Sequence, residues 1–534
     1  MKIVLAQAAC LVGDITANRR LMLEMLRQAE SRQADMIVFP ELAVTGYPPE
    51  DLLLRPGFLD AVDEAVNKLI SATANTALVF GHPRRAGSKL YNSASLARGG
   101  ERIGVYDKRW LPNYGVFDER RYFEPGDGPE TFDVDGWRVG VGICEDLWSD
   151  EVAKRGKAEV RDVLLNLNAS PFHSGKQAER EALMRKRAGE FGIPIAYVNG
   201  VGGQDEVVFD GGSHAVDREG MLLARAPLFD EADVLVDLAD EAGGECADMP
   251  SDSGQIHAAL VHGVRDYVRR NGCSDVLLGL SGGIDSALSA VIAVDALGAE
   301  HVLGVLMPSR FSSGHSVSDA EDLAANLGIE TIALPIQSVV DQTREVLRQP
   351  FSEWGKTAED VTEENIQARV RGLLLMAISN KTGRMLLSTG NKSEMAVGYA
   401  TLYGDMAGGF AVLKDVYKMQ AYELADYVNC ERELIPRNTI AKPPSAELRP
   451  EQKDADSLPD YAVLDAILKA YIENRQGPEE IIRQGFDETE VRRTIKMLHQ
   501  AEYKRRQAPP GVKITRRAFG RDRRYPITHG YKEW

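Results

Sequence analysis

The sequence predicts two α/β domains in series, and three observations carry that prediction. Short apolar runs alternate with longer amphipathic stretches, the pattern of sheets layered with helices. The alternation stops in a polar segment rich in glycine, proline and acid at 239–254, then restarts beyond it. The length of 534 residues suits two to four domains at ~150 residues each. The expected domains are 1–245 and 255–534, joined by a linker at 246–254.

The elements follow in order. A strand opens the chain at 1–7, and further strands are expected at 36–39, 76–81, 137–144, 163–168 and 194–199. Amphipathic stretches lie between several of them, as at 18–32. From 205 to 240 the pattern turns to short strands and turns. Beyond the linker, a helix at 255–271 leads into a buried strand at 275–280 and then an apolar helix at 287–297. There is no short repeat and no low-complexity tract.

Composition removes several classes. Lys and Arg number 63 against 80 Asp and Glu, a net charge of −17, which argues against nucleic-acid binding by phosphate neutralisation. Hydrophobic residues at 44% and charged residues at 27% exclude wholesale disorder. No apolar run approaches the ~20 residues of a membrane helix, and no long apolar stretch is followed by a small-residue cleavage site. A cytoplasmic protein with no membrane partner is the expectation. The five cysteines, at 10, 144, 246, 273 and 430, include no C-x-x-C pair, so neither a disulfide framework nor a zinc knuckle is indicated.

The sharpest local signal is the run Leu278-Gly279-Leu280-Ser281-Gly282-Gly283-Ile284-Asp285-Ser286. A strand enters a Ser/Gly turn and leaves as a helix. The glycines let the backbone approach a ligand and turn its N–H groups toward it, and the helix start adds a positive dipole end suited to phosphate. Ser281 and Ser286 supply hydroxyls, and Asp285 supplies hard oxygens for a divalent cation. With no lysine, this is not a Walker A loop. A plain strand–helix turn would need only Gly-Gly and a serine cap. The string resembles the pyrophosphate loop of the N-type ATP pyrophosphatases, which split ATP to AMP and pyrophosphate to activate a carboxylate or carbonyl oxygen. The resemblance implies ATP as co-substrate at Gly279, Ser281, Gly282, Gly283, Ile284, Asp285 and Ser286. The loop alone leaves the members of that superfamily open.

A second run narrows the choice: Leu387-Ser388-Thr389-Gly390-Asn391-Lys392-Ser393-Glu394, then Tyr403-Gly404-Asp405. It resembles the NAD synthetase family. The resemblance implies that Thr389 contacts ATP, that Glu394 joins Asp285 in binding Mg2+, and that Asp405 lines the nicotinate site. Lys418 and Ser445 fall on phosphate-contacting positions, with Ser in place of Thr at 445. Asn365-Ile-Gln-Ala-Arg369-Val-Arg371 matches a family helix, on which Asn365 and Arg369 share a face. From that face the guanidinium could reach ATP or the dinucleotide phosphates; the resemblance implies ATP for Arg369 and deamido-NAD for Asn365 and Arg371. From Lys504 to Trp534 ten Lys/Arg face two acids. That excess fits either a surface tail or a polyanion site. The resemblance favours dinucleotide phosphates, with Lys504 among the contacts.

In the first half, Cys144 ends the run Trp137-Arg-Val-Gly-Val-Gly-Ile-Cys, and Glu41 and Lys108 stand just past two other apolar runs. Glu41 can take a thiol proton, Lys108 can stabilise an oxyanion, and Cys144 can form a thioester. Each alone also reads as a core thiol or a surface charge. Phe39-Pro-Glu41, Tyr106-Asp-Lys108 and Gly142-Ile-Cys144-Glu145 resemble the three signatures of the nitrilase superfamily. The resemblance implies supporting roles for Glu119 and Glu145, and glutamine contacts at Tyr47, Tyr114, Phe117, Ser170 and Lys176. The branch can carry Arg at the last position.

Taken together the chain is similar, from about 1 to about 530, to the glutamine-dependent NAD(+) synthetases. The implied fold is an α-β-β-α nitrilase-like sandwich followed by a Rossmann-like parallel-sheet ATP pyrophosphatase domain. The implied reaction converts deamido-NAD, ATP and glutamine to NAD, AMP, pyrophosphate and glutamate. Free ammonia is mostly protonated at neutral pH, so an enclosed passage for it is expected. Small molecules are the implied partners, with a homo-oligomer of at least two chains and no nucleic acid.

Overall fold

In the strand Lys2–Gln7, Ile3 and Leu5 enter one core while Val4 and Ala6 enter another. This is the two-residue period of a sheet buried on both faces. The next parallel strand, Met36–Val38, repeats the division: Met36 and Val38 on one side, Ile37 on the other. The computed structural model describes residues 1–128, 130–151, 160–238 and 244–534. They separate into two units, Met1–Asp252 and Ser253–Trp534.

The first unit holds two six-stranded sheets with matching organisation. One runs Ala232–Asp237, Lys2–Gln7, Met36–Val38, Ala77–Ala86, Lys89–Arg98, Glu101–Asp107. The other runs Leu222–Arg225, His214–Val216, Ile195–Asn199, Val163–Asn168, Trp137–Ile143, Thr131–Val134. In each, two adjacent parallel pairings are flanked by antiparallel ones. Ile3, Leu5, Val38 and Val79 of the first sheet pack with Val139, Val141, Val163 and Leu165 of the second. Each such side chain, once wholly buried, contributes roughly 1.5–3 kcal/mol. The helices Ile15–Ser31 and Pro56–Ser71 cover the far face of the first sheet through Met22, Leu26, Val62 and Leu69. Lys176–Phe191 covers the second through Met184 and Ala188. These four layers are the α-β-β-α sandwich that the resemblance implied.

The junction is more structured than a linker. Gly244 N donates to Leu223 O at 2.6 Å and Ala247 N to Arg225 O at 2.9 Å, laying 244–247 along the strand Leu222–Arg225. The helix expected at 255–271 begins earlier, as Asp252–Arg270. Residues 239–243 of the polar segment lie outside the described residues.

The second unit carries an all-parallel sheet, ordered Glu330–Ala333, Val302–Leu306, Val276–Gly279, Met385–Ser388, Phe410–Ala411. The chain builds outward from Val276–Gly279 on one side, then returns to its other side at Met385–Ser388. That reversal makes the Rossmann-like switch point, where ligands settle beyond the strand ends. Leu277, Leu303 and Val305 pack with Val340 of the helix Gln337–Glu353 and with Ile366 and Val370 of the helix Val361–Thr382. The helix Ile284–Leu297 is apolar nearly all round and buried, as its sequence requires. A helical layer behind Lys392–Val397 is held by Leu464, Ile467, Val491 and Ile495.

Candidate active sites

The nucleophile candidate stands one residue beyond its strand. Trp137–Ile143 sends Val139, Val141 and Ile143 into the inter-sheet core. Gly142 gives room on the other face, where a Cβ would lie 2.7 Å from Leu147 Cδ1. Cys144 then takes φ +46°, a left-handed backbone rare for a residue with a side chain, and starts a single turn, Cys144–Asp146. Its thiol is buried, and burial pushes it well above the usual thiol range, with the Glu41 charge adding and Lys108 opposing.

Around it the structure gathers the expected set. Lys108 Nζ donates to Glu41 Oε1 at 2.7 Å and to Glu119 Oε1 and Oε2 at 2.8 and 2.9 Å. Burial alone would pull this ammonium down, but Glu119 and Glu41 outweigh it and hold it well above the usual lysine range. Burial raises Glu119, against Lys108, to about 7. Glu41 Oε2 accepts from Ala169 N at 3.1 Å. Tyr47 OH donates to Glu119 Oε1 at 2.9 Å, and Phe117 meets both Tyr47 and Tyr114 edge-on. Tyr114 OH donates to Glu145 Oε1 at 2.7 Å. Ser170 is buried, with its Oγ 3.2 Å from Arg180 Nε. Lys176 Nζ lies 3.8 Å from the centre of the Trp148 ring and 3.5 Å from Glu179 Oε2. Burial draws Lys176 below the usual lysine range, and the Cys144 charge acts on it in the opposite sense.

Several partners were not anticipated. Asn92 Nδ2 donates to Glu41 Oε1 at 2.7 Å. Asp146 accepts from the backbone on both sides of the site. Arg180, buried and paired with Asp210 at 2.7 and 2.8 Å, also donates to Ser170 O at 2.7 Å and so fixes that loop. Asp146 was the findable one, two residues after the thiol; Asn92 and Arg180 carry no local signal.

In the second unit the Ser/Gly loop closes on itself. Ser281 N donates to Ser286 Oγ at 3.2 Å, Gly283 N to Ser281 Oγ at 3.2 Å, and Ser286 Oγ to Gly283 O at 2.9 Å. Beside it opens a cavity of about 320 Å³, and the wall includes Gly279, Ser281, Gly283, Ile284, Asp285 and Ser286. Arg371, Thr389, Glu394, Asp405, Lys418 and Ser445 complete the expected lining. Lys418 Nζ is paired with Asp285 Oδ2 and lies 3.4 Å from Glu394 Oε1. Burial pushes Glu394 up to about 8 against the pull of Lys418, with the Asp285 charge adding to the rise. Asn391 Nδ2 donates to Asp285 Oδ1 at 3.1 Å, while its Oδ1 caps Glu394 N at 3.0 Å. Burial draws the Arg371 guanidinium down to about 10 and raises Asp405 to about 6.

Four expected ligand contacts do not line this cavity. Gly282, at φ +76°, is pressed against the helix Gly314–Leu327: a Cβ there would lie 2.1 Å from Ser316 O. Asn365 Oδ1 accepts from Thr401 Oγ1 at 2.8 Å, and Arg369 Nε donates to Leu402 O at 3.2 Å. Lys504 Nζ donates to Gly398 O and Ala400 O, both at 2.7 Å. Its neighbour Arg505 reaches Met395 O and Ala396 O at 3.3 and 2.5 Å. Arg505 thus satisfies carbonyls in the last turn of Lys392–Val397, and Lys504 holds the chain just beyond it.

The donor set fits Mg2+. Asp285 and Glu394 bring hard oxygens to one place, and Asp454 adds a buried Oδ1 without a hydrogen bond to the same cavity wall. No cluster of three or more His, Cys, Asp or Glu poised for a metal occurs among the described residues. Among the described residues no helix is long and apolar enough to cross a membrane.

The description of carbon-nitrogen hydrolases matches residues 2–244, and that of NAD synthases matches residues 256–508. A glutamine-dependent NAD(+) synthetase of Thermotoga maritima is 46% identical, the match covering 100% of this chain and 99% of that protein. The structure of the Acinetobacter baumannii glutamine-dependent NAD+ synthetase with ADP superposes with a TM-score of 0.79 at 44% identity, over 100% of this chain and 99% of that one. A Cytophaga hutchinsonii relative gives 0.85 at 23% identity, over 99% and 98% of the two chains, which speaks for the fold.

Proposed function

The chain belongs to the glutamine-dependent NAD(+) synthetases, and from that premise we propose how its residues divide the work. The protein is a ligase that forms the amide of NAD with nitrogen taken from glutamine. ATP use accords with the ADP-bound relative.

In the first unit Glu41 takes the Cys144 proton and the thiolate attacks the glutamine amide carbon. Lys108, wholly buried, donates to the oxyanion where water cannot screen it. Collapse expels ammonia, which carries away the proton that Glu41 held. Water then cleaves the thioester to glutamate, with Glu41 again accepting the proton. Tyr47, Phe117 and Tyr114 make the aromatic side of the glutamine pocket. Ser170, on the loop that Arg180 fixes, and Lys176, at the start of the next helix, face the substrate.

In the second unit the nicotinate carboxylate of deamido-NAD attacks the α-phosphorus of ATP and pyrophosphate leaves. Loop N–H groups and hydroxyls at Ser281–Ser286 receive the departing anion, with Lys418 beside them. Mg2+, held by Asp285 and Glu394, would neutralise charge on the phosphates. Ammonia then displaces AMP from the adenylate. Arg371 and Asp405 face the dinucleotide.

The same proposal places the protein in the cytoplasm and assembles it at least as a dimer. No disulfide joins Cys144, Cys246, Cys273 or Cys430, as in a reducing compartment. Leu373 and Met376 stay exposed three residues apart on one helix, which suits a contact with a second chain. Light scattering of the purified protein reads the assembly directly.

The observation that carries the reading is a buried Glu41–Lys108–Glu119 network beside a strained thiol on a chain that also carries a phosphate-binding loop beside a carboxylate-lined cavity. Cys144→Ala tests it. NAD formation from glutamine disappears while formation from ammonium persists; loss of both, or of neither, defeats the assignment.

A further inference from the structure

We propose that Asp146 is a positioning residue that sets the separation of Cys144 and Lys108, a proposal that rests on reading those two as nucleophile and oxyanion donor. The two groups come from different sheets. Cys144 follows Trp137–Ile143 in one, and Lys108 follows Glu101–Asp107 in the other. Between the sheets lies apolar packing, which is strong but without direction. Glu41 supplies one directional link across it through Ala169 N. Asp146 supplies the link that concerns the thiol and the ammonium.

Its two oxygens divide the task. Oδ2 accepts from Ile143 N at 2.9 Å and from Tyr106 OH at 2.7 Å. Oδ1 accepts from Trp110 N at 2.8 Å and from Arg109 N at 3.2 Å. Ile143 immediately precedes the nucleophile, Arg109 and Trp110 immediately follow the lysine, and Tyr106 stands two residues before it. One carboxylate thus grips the backbone on the cysteine side and three donors on the lysine side. The group is 1% exposed, so no water competes for those donors. Hydrogen bonds to a charged acceptor are shorter and firmer than neutral ones. Cys144 also needs an outside restraint, because its left-handed φ of +46° is unfavourable for any residue with a Cβ. The grip on Ile143 N, one peptide away, provides it.

Asparagine at this position isolates the effect. Its Oδ1 keeps the Arg109 and Trp110 donors, and Tyr106 can turn its hydroxyl to accept from Nδ2. Ile143 N–H alone then faces another N–H. The cysteine side loosens while the lysine side stays, so the two catalytic groups drift apart without loss of a packing side chain.

The test compares full-length Asp146→Asn with Cys144→Ala and the parent. Three things are read: glutamine-driven and ammonium-driven NAD formation, and the pH dependence of Cys144 alkylation by iodoacetamide, followed on its own peptide by mass spectrometry. Asp146→Asn should lower kcat with glutamine by ~10-fold or more, since small misplacements of reacting groups are costly. KM for glutamine and ammonium-driven turnover should stay unchanged, and the alkylation midpoint should move to higher pH as Lys108 recedes from the sulfur. An unchanged kcat and an unchanged alkylation profile overturn the proposal. Glutamine-driven activity surviving Cys144→Ala overturns instead the reading beneath it. If Asp146→Asn loses both activities, Tyr106→Phe decides: it removes one donor from the same carboxylate, and a parental kcat with a parental alkylation midpoint refutes the positioning role.

Discussion

Glu41 and Lys108 share a hydrogen bond of 2.7 Å while both are almost wholly shielded from water. A second carboxylate, Glu119, completes the arrangement at 2.8 Å from the same nitrogen. One ammonium therefore stands between two acids in a medium that screens little. Glu119→Gln removes one of them, so Lys108 turns wholly to Glu41 and weakens it as a base for the thiol. Glutamine-driven NAD formation should fall by roughly 10²–10³-fold, within the range of a lost acid–base contribution, while ammonium-driven formation persists. Parallel assays with the two nitrogen sources check this; an unaltered glutamine rate denies Glu119 its role.

Asp285→Ala takes a carboxylate from the pair that meets at Lys418. Synthesis should vanish with either nitrogen source, and glutamine hydrolysis should survive. Ammonium-driven turnover in that variant, measured as AMP and NAD released, counts against the place given to Asp285.

Gly282→Ala probes the loop without touching a charge. Its φ of +76° and the 2.1 Å approach to Ser316 O leave no room for a methyl group. The loop must shift, and a displacement of ~1 Å can cost ~10²-fold in rate. Ammonium-driven synthesis is expected to drop by about that factor, with glutaminase activity retained. Parental kinetics would show that the loop tolerates displacement.

The fold should also lose stability in acid through its buried imidazoles. Burial draws His82 down to about 4, its Nε2 lying 2.7 Å from Ser95 Oγ. The unfolded chain binds this proton near pH ~6.5, so between 6.5 and 4 the unfolded state holds more protons than the native one. Stability is complete above that window and is lost as pH falls through it. Between pH 7.5 and 5.0 the parent should lose about 2 kcal/mol more than His82→Gln does. Urea unfolding at the two pH values measures the difference, and equal losses would remove His82 from the account.

What the sequence made legible was local and periodic. The Val-Gly-Val-Gly-Ile-Cys run displays its core face by simple alternation, and Ser281-Gly-Gly displays its turn. Asn391-Lys-Ser-Glu394 is a helix start whose capping residue also holds Asp285. What stayed hidden depends on separation along the chain. Asn92 reaches Glu41 across 51 residues, and no pattern in the single sequence joins them. The near partners of Lys504 were hidden for the same reason. A cation in a basic run suggests an anion, and nothing local shows that it also donates to carbonyls of Gly398 and Ala400 more than a hundred residues away. Charge is visible in sequence, but its partner is fixed only by the fold.

The central claim is that one chain carries the amide nitrogen of glutamine onto deamido-NAD. Incubation of the purified protein with deamido-NAD, MgATP and glutamine labelled with ¹⁵N at the amide, followed by mass spectrometry of the dinucleotide, asks this directly. The account predicts the label in the carboxamide of NAD, with glutamate and AMP formed alongside. NAD that forms without the label, or glutamate released with no NAD at all, would contradict it.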